Sequence, residues 1–283
     1  NQISFVIKKM KYPIIFKPTT KDYGQSFYAK YGGAKAVESN DPIDLKNKLI
    51  DCINSNFEVI VQEKVIFDQA EDEIPFYAYV DKNQNIIMAA TGIKELIQPY
   101  PFGTANILRL SWHPELLPIA KKVVKKLKWR GMIMIEFIRD KKDNQWKVIE
   151  INMRPWLFIG FYELFGLNYI SLLYEDWQNG LKIFDGQTIC PSKEVLNISP
   201  IHVDIGGLYH YWQNINKKLK GEKNFLKFYK WLKNYSEVIT YPYYDSKDYN
   251  LAKKHLKDIF DYDNLKNNIP NDLENYFFNP QII

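Results

Sequence analysis

Apolar residues run through this chain in short blocks, some with the two-residue period of strands and some with the period of helices. Residues 1–11 predict the end of a helix, stopped at Tyr12-Pro13 because proline lacks an amide hydrogen and restricts the residue before it. The blocks 14–17 (IIFK), 35–38 (KAVE) and 58–63 (EVIVQE) predict strands, and residues 18–34, with Pro18, Gly24, Gly32 and Gly33, predict a loop or hairpin. Ser39-Asn40-Asp41-Pro42 offers a polar cap with a proline just inside, so a helix is predicted from there to about Ser55. Residues 75–81 and 85–91 predict two antiparallel strands around Lys82-Asn83-Gln84. A loop over 98–106 and a Lys-rich helix over 113–129, ended at Gly131, follow. Two strongly apolar strands, 132–139 (MIMIEFIR) and 145–152 (QWKVIEIN), flank the turn Lys141-Lys142-Asp143-Asn144. Further helices are predicted near 168–179, 206–220, 222–234 and 248–260, and no internal repeat is visible. Paired strands with interspersed helices predict an α+β (mixed α/β) fold.

Composition narrows the class. With 46% apolar and 25% charged residues, 13 Gly and 14 Pro among 283 residues, neither wholesale disorder nor a fibre is expected. No apolar run approaches the roughly 18–20 residues of a membrane helix, so no membrane partner is expected. Cys52 and Cys190 belong to no metal-binding pattern, and two free thiols suit a reducing, cytoplasmic setting. The net charge of +5 is mild and spread over Lys-rich helices, so nucleic acid is not the expected partner. The chain opens on Asn-Gln-Ile without a visible signal peptide, and the natural protein can begin upstream.

Candidate chemistry concentrates in the 132–152 pair of strands. Glu136 and Glu150 each interrupt an apolar run, and a carboxylate there is costly unless it is paired or binds a metal. Glu150 and Asn152 are two apart and share a strand face, which a four-residue turn brings beside Glu136. Three oxygen donors converging in this way suit a hard cation such as Mg2+. Arg154, two further on, is expected on that same face. A second group is Lys17, at the end of a strand before Pro18, and Lys35, after Gly32-Gly33; a lysine beside a glycine-containing loop can meet a phosphate as a point charge. Among 38 basic residues, either one taken alone is a surface lysine by default. A third group is the strand end Gln62-Glu63-Lys64-Val65, followed by Asp68, Glu71, Asp72 and Glu73, where backbone can read a purine edge and an acid can take ribose hydroxyls; alone, it is equally an ordinary strand end. No Ser-His-Asp or Cys-His set stands out, and the four histidines are scattered.

The order of these motifs, YPIIFKP with a second lysine, then EVIVQEKV, then the IEF and EINMRPW strands, resembles the ATP-grasp superfamily over about residues 10–180, and within it the carboxylate–amine ligase and carbamoyl-phosphate-synthase-like group. The resemblance implies two α+β lobes that clamp ATP, normally preceded by an N-terminal α/β domain that the sequence does not show. It implies a first lobe over 1–62, a second over 63–183 and a mostly helical extension over 184–283. By position it implies Lys17 and Lys35 as phosphate lysines, 24–33 as a flexible flap, Gln62, Glu63, Lys64 and Val65 as the adenine hinge, and Glu71 or Asp68 as the ribose ligand. It further implies Lys94 as a basic residue near the phosphates, Glu136, Glu150 and Asn152 as ligands of Mg2+ (or Mn2+), and Arg154 facing the acyl phosphate or the substrate carboxylate. The implied activity is ATP-dependent joining of a small-molecule carboxylate to an amine, or to a thiol, through an acyl phosphate. The flap is poorer in glycine than usual and rich in Tyr and Phe. A non-catalytic nucleotide-binding subunit or half of a split ligase stays open beside this reading, as does a homodimer or a partner subunit carrying the front domain.

Overall fold

The computed structural model describes residues 2–20, 24–32, 35–67, 72–98, 104–180, 185–209 and 239–241, with scattered positions between 230 and 258. Two compact units emerge: one comprises 1–67, 97–104 and 139–145, the other 68–96, 105–138 and 146–283.

The first unit is built on a three-stranded antiparallel sheet in the order β2-β1-β3, with β1 at Ile14–Pro18, β2 at Val37–Ser39 and β3 at Val59–Glu63. Helix α1 (Gln2–Lys9) precedes it, and α3 (Pro42–Asn54) is capped by Asp41, whose carboxylate accepts from the amides of Ile43 (2.8 Å) and Asp44 (2.9 Å). Alternation in β1 sends Ile14 and Phe16 into a core with Phe27, Leu45, Leu49 and Cys52, leaving Ile15 and Lys17 on the other face. Helix α2 (Gly24–Lys30) lies inside the stretch read from sequence as a loop. Its Phe27 is fully buried, 5.6 Å from the ring of Phe57 and 6.2 Å from that of Phe16. Residues 24–30 are therefore a helix docked on this core rather than the loop read from sequence, because the aromatic residues of the stretch have a core to enter.

The second unit contains a seven-stranded sheet ordered β10-β9-β6-β5-β4-β7-β8. Its strands are β4 (Glu73–Val80), β5 (Ile86–Gln98), β6 (Thr104–Ser111), β7 (Gly131–Asp140), β8 (Gln145–Asn152), β9 (Ile201–Val203) and β10 (Ile239–Thr240). Strand β6 was not anticipated, and β5 runs well past Thr91, where the expected strand stopped. Helix α4 (Leu117–Leu127), entered through a 3-10 turn at Pro114–Leu116, covers one sheet face with Leu116, Ala120 and Val124 against Ile133, Ile135 and Phe137. Helices α5 (Ile159–Glu163) and α6 (Tyr169–Gln178) cover the other, with Phe161, Tyr162 and Tyr169 against Tyr77, Tyr79 and Met132. Strand β4, covered on both faces, is buried throughout, which is why it reads as a continuous apolar run. The short helix α7 (Lys193–Ile198) precedes β9. Most of the helices expected over 206–260 and the last 23 residues lie outside the described residues. Cys52 is buried and Cys190 exposed, and both are free. Among the described residues no helix is long and apolar enough to cross a membrane.

Candidate active site

The glutamate pair is set by strand register. Antiparallel pairing places Pro75 of β4 opposite Glu136 of β7 and Tyr77 opposite Met134, so Glu136, Glu73 and Tyr77 share one sheet face. That face is the one covered by α5 and α6, since Tyr77, Met132 and Met134 pack there. In β8, the neighbour of β7 across the Lys141–Asn144 turn, Ile151 packs into the core on the α4 side, so Glu150 and Asn152 point to the face of Glu136. The charge of Glu150 acts on Glu136. The two glutamates differ in setting, however. The Glu136 side chain is 15% exposed, whereas Glu150 is open to solvent.

Lys94 of β5 completes the row. Continued by three residues, the β4–β5 register brings it opposite Glu73. Its ammonium donates to Glu73 Oε1 (2.5 Å) and to Glu136 Oε2 (3.1 Å). The side chains of Lys94 and Glu73 are 8% and 9% exposed. Burial pulls the Lys94 ammonium down, but Glu136 and Glu73 outweigh it, and the group is held above the ordinary lysine value. Burial pushes the Glu136 carboxyl up; Lys94 pulls it down, Glu73 and Glu150 push it up again, and the net direction is upward. Lys94, expected near phosphate, thus stands on carboxylates in this structure. Glu73 was read only as part of an acidic loop. The strand that Glu73 opens is buried on both faces, so no alternation in the sequence showed which way it points.

Arg154 lies two residues past the end of its strand. Strand β8 ends at Asn152, so the alternation that predicted a shared face stops there, and the exposed Arg154 donates from Nη1 to the carbonyl of Pro155 (2.9 Å). In the first unit, Lys17 pairs with Ile60 on the sheet face away from the core. The β1–β2 register, extended past Phe16–Val37, brings Lys35 to the Lys17 end of that sheet, where its ammonium donates to Thr104 Oγ1 (3.0 Å). Gln62 lies opposite Ile15, and Glu63 Oε1 accepts from the Lys11 amide (3.2 Å). The Lys64 amide donates to the Pro13 carbonyl (2.9 Å), and its ammonium pairs with Glu38 Oε2 (2.5 Å). The Lys64 amide of the hinge sequence is therefore already engaged, and Val65, partly buried, follows the end of β3. Asp68 and Glu71 lie outside the described residues.

Two carboxylates and an amide oxygen on one face form a hard-oxygen donor set, and Mg2+ is commonly held by one or two carboxylates with phosphate oxygens and water completing its shell. Among the described residues no group of three His, Cys, Asp or Glu side chains is placed to hold a metal ion.

No family model matches the chain. Among curated proteins it is similar to D-aspartate ligase of Enterococcus faecium, with 24% identity over 169 residues, 59% of this chain and 40% of that protein. Among solved structures it is similar to the L-amino acid ligase of Bacillus licheniformis (17% identity, TM-score 0.45, 62% of this chain and 41% of that one). A biotin carboxylase–β-γ-ATP complex from Campylobacter jejuni gives 16% identity and a TM-score of 0.45 over 66% of this chain and 40% of that one. The chain spans 40% of the length of the curated relative. Over the shared stretch it resembles a D-aspartate ligase, in keeping with the ATP-grasp resemblance that the order of its lysine, hinge and glutamate motifs implies.

Proposed function

We propose that this chain carries the nucleotide and metal machinery of an ATP-dependent ligase that joins a small carboxylate to an amine. The observation that carries the reading is the placement of Glu136, Glu150 and Asn152 on one sheet face, on adjacent strands, beside a buried ammonium. A bound Mg2+ would supply Lewis-acid charge against the phosphate oxygens, with Glu136, Glu150 and Asn152 as its protein ligands. Lys17 and Lys35 add point charges to the phosphates, and the backbone of Glu63 and Val65 reads the base. Arg154, exposed just past the end of β8, is open to a carboxylate or acyl phosphate. In the first step a substrate carboxylate oxygen bonds to the γ-phosphorus, and the bond to the bridging oxygen breaks to release ADP. In the second an amine bonds to the acyl carbon, loses a proton, and phosphate leaves. Such chemistry asks the protein for positioning and charge rather than for a covalent nucleophile.

The similarity to D-aspartate ligase supports an amino acid as one of the two substrates. The experiment is ADP release in the presence of Mg·ATP and a panel of D- and L-amino acids, singly and in pairs. Release that rises with one pair supports ligation. The 40% coverage of the relative favours a second reading, a nucleotide-binding part that completes its active site with other polypeptide. That reading expects Mg·ADP binding with no release under any pair.

A further inference from the structure

The Lys94 triad has a charge deficit. Two carboxylates, Glu73 and Glu136, share one ammonium, and Glu150 on the next strand adds a third negative charge. Among the described residues Lys94 is the sole side-chain donor to Glu73 and Glu136, and each takes it on one oxygen only. Burying charge without full compensation is costly, so a site built this way has room for a further cation. The two ion pairs are also unequal. Glu73 holds the ammonium at 2.5 Å and Glu136 at 3.1 Å, and Glu136 is the more exposed partner, nearer to Glu150 and Asn152.

We propose that Lys94 is the resident counter-cation of Glu136 and that Glu73 is its positioning residue: when a divalent cation takes the Glu136 carboxylate, the ammonium stays in the site on Glu73. Lys94 then prevents the buried carboxylates from capturing a divalent cation on their own, while Glu73 keeps Lys94 from competing fully with the cation that belongs there. This rests on the reading of Glu136 as a metal ligand.

The arrangement makes Glu73 and Lys94, neighbours in one ion triad, act on metal affinity in opposite directions. A triad that only stabilises the fold has no such property. The test is a titration of the full chain with Mn2+ alone, no nucleotide present, followed by the spin-resonance signal of free Mn2+. Lys94→Gln, which frees both carboxylates, is expected to bind Mn2+ at least about tenfold more tightly than wild type, since the competing charge is gone. Glu73→Gln, which leaves Glu136 as the only partner of Lys94, is expected to bind about tenfold more weakly. Equal affinities, or shifts of both variants in the same direction, overturn the proposal. Should Lys94→Gln unfold, recovery of its fold in Mn2+ but not in equal ionic strength of NaCl supports the proposal. Failure to recover leaves the Glu73→Gln titration to decide, and unchanged affinity there overturns it. Because nucleotide is absent, an opposite-sign result stands even if Mg·ADP proves not to bind, and that outcome would count against the proposed function alone.

Discussion

At the scale of single residues, the account turns on where each charged side chain is held. Glu150 is exposed and Glu136 is not, so Glu150 is the proposed ligand that can be changed with least harm to the fold. Glu150→Gln keeps the shape and removes one negative charge. Ligase turnover is expected to fall by two or more orders of magnitude while the urea midpoint stays the same or rises, because a carboxylate that pushes on Glu136 has gone. Unchanged turnover in a folded variant would remove Glu150 from the site. His202 offers a test that does not involve the candidate site. It is buried beside the Phe158 and Phe161 rings, its Nδ1 lies 3.0 Å from Thr240 Oγ1, and burial pulls its pKa from 6.5 to about 3. Between those values the unfolded chain binds a proton that the folded chain does not. Stability is therefore full above about pH 6.5 and is lost as pH falls toward 3, at no more than about 1.4 kcal/mol per pH unit. His202→Gln should flatten that slope in chemical denaturation between pH 6.5 and 4.5; an unaltered slope would mean that the histidine protonates in place.

At the scale of elements, much was legible where one physical signal dominated. The Asp41-Pro42 start of α3, the β7–β8 pair and the breadth of α6 all follow from caps, alternation and apolar spacing. The alternation that puts Glu150 and Asn152 on one face stops with β8 at Asn152, where the predicted strand also ended, so it does not reach Arg154. Glu73 escaped notice because β4 is buried on both faces, and a strand without alternation does not declare which way its first residue points. Strand β6 was hidden by the prolines and glycine of the preceding loop. The largest difference is α2, where Pro18 and three glycines, Gly24, Gly32 and Gly33, outweighed the aromatic spacing of Phe27, Tyr28 and Tyr31. If α2 is a structural part of the first unit, Phe27→Ala should cost about 3–5 kcal/mol, the usual range for emptying a packed aromatic site. Denaturation of the variant checks this, and a loss under about 1 kcal/mol would show that α2 does not rest on the core in solution and would reopen a lid role for it.

At the scale of the whole molecule, composition said little about activity, and the order of the motifs said most. The similarity to a D-aspartate ligase agrees with that order and spans 40% of that protein. Under the proposed function, the face of Glu136, Glu150 and Asn152 would hold a metal with its nucleotide. The most direct test is therefore calorimetric titration of the full chain with ADP, with and without Mg2+. We predict saturable binding that depends on Mg2+, is weakened by Glu136→Gln, and raises the melting temperature, by mass action equivalent to about 2.7 kcal/mol at a hundredfold excess over Kd. A well-folded sample that shows neither heat nor a melting shift at millimolar Mg·ADP would contradict the account.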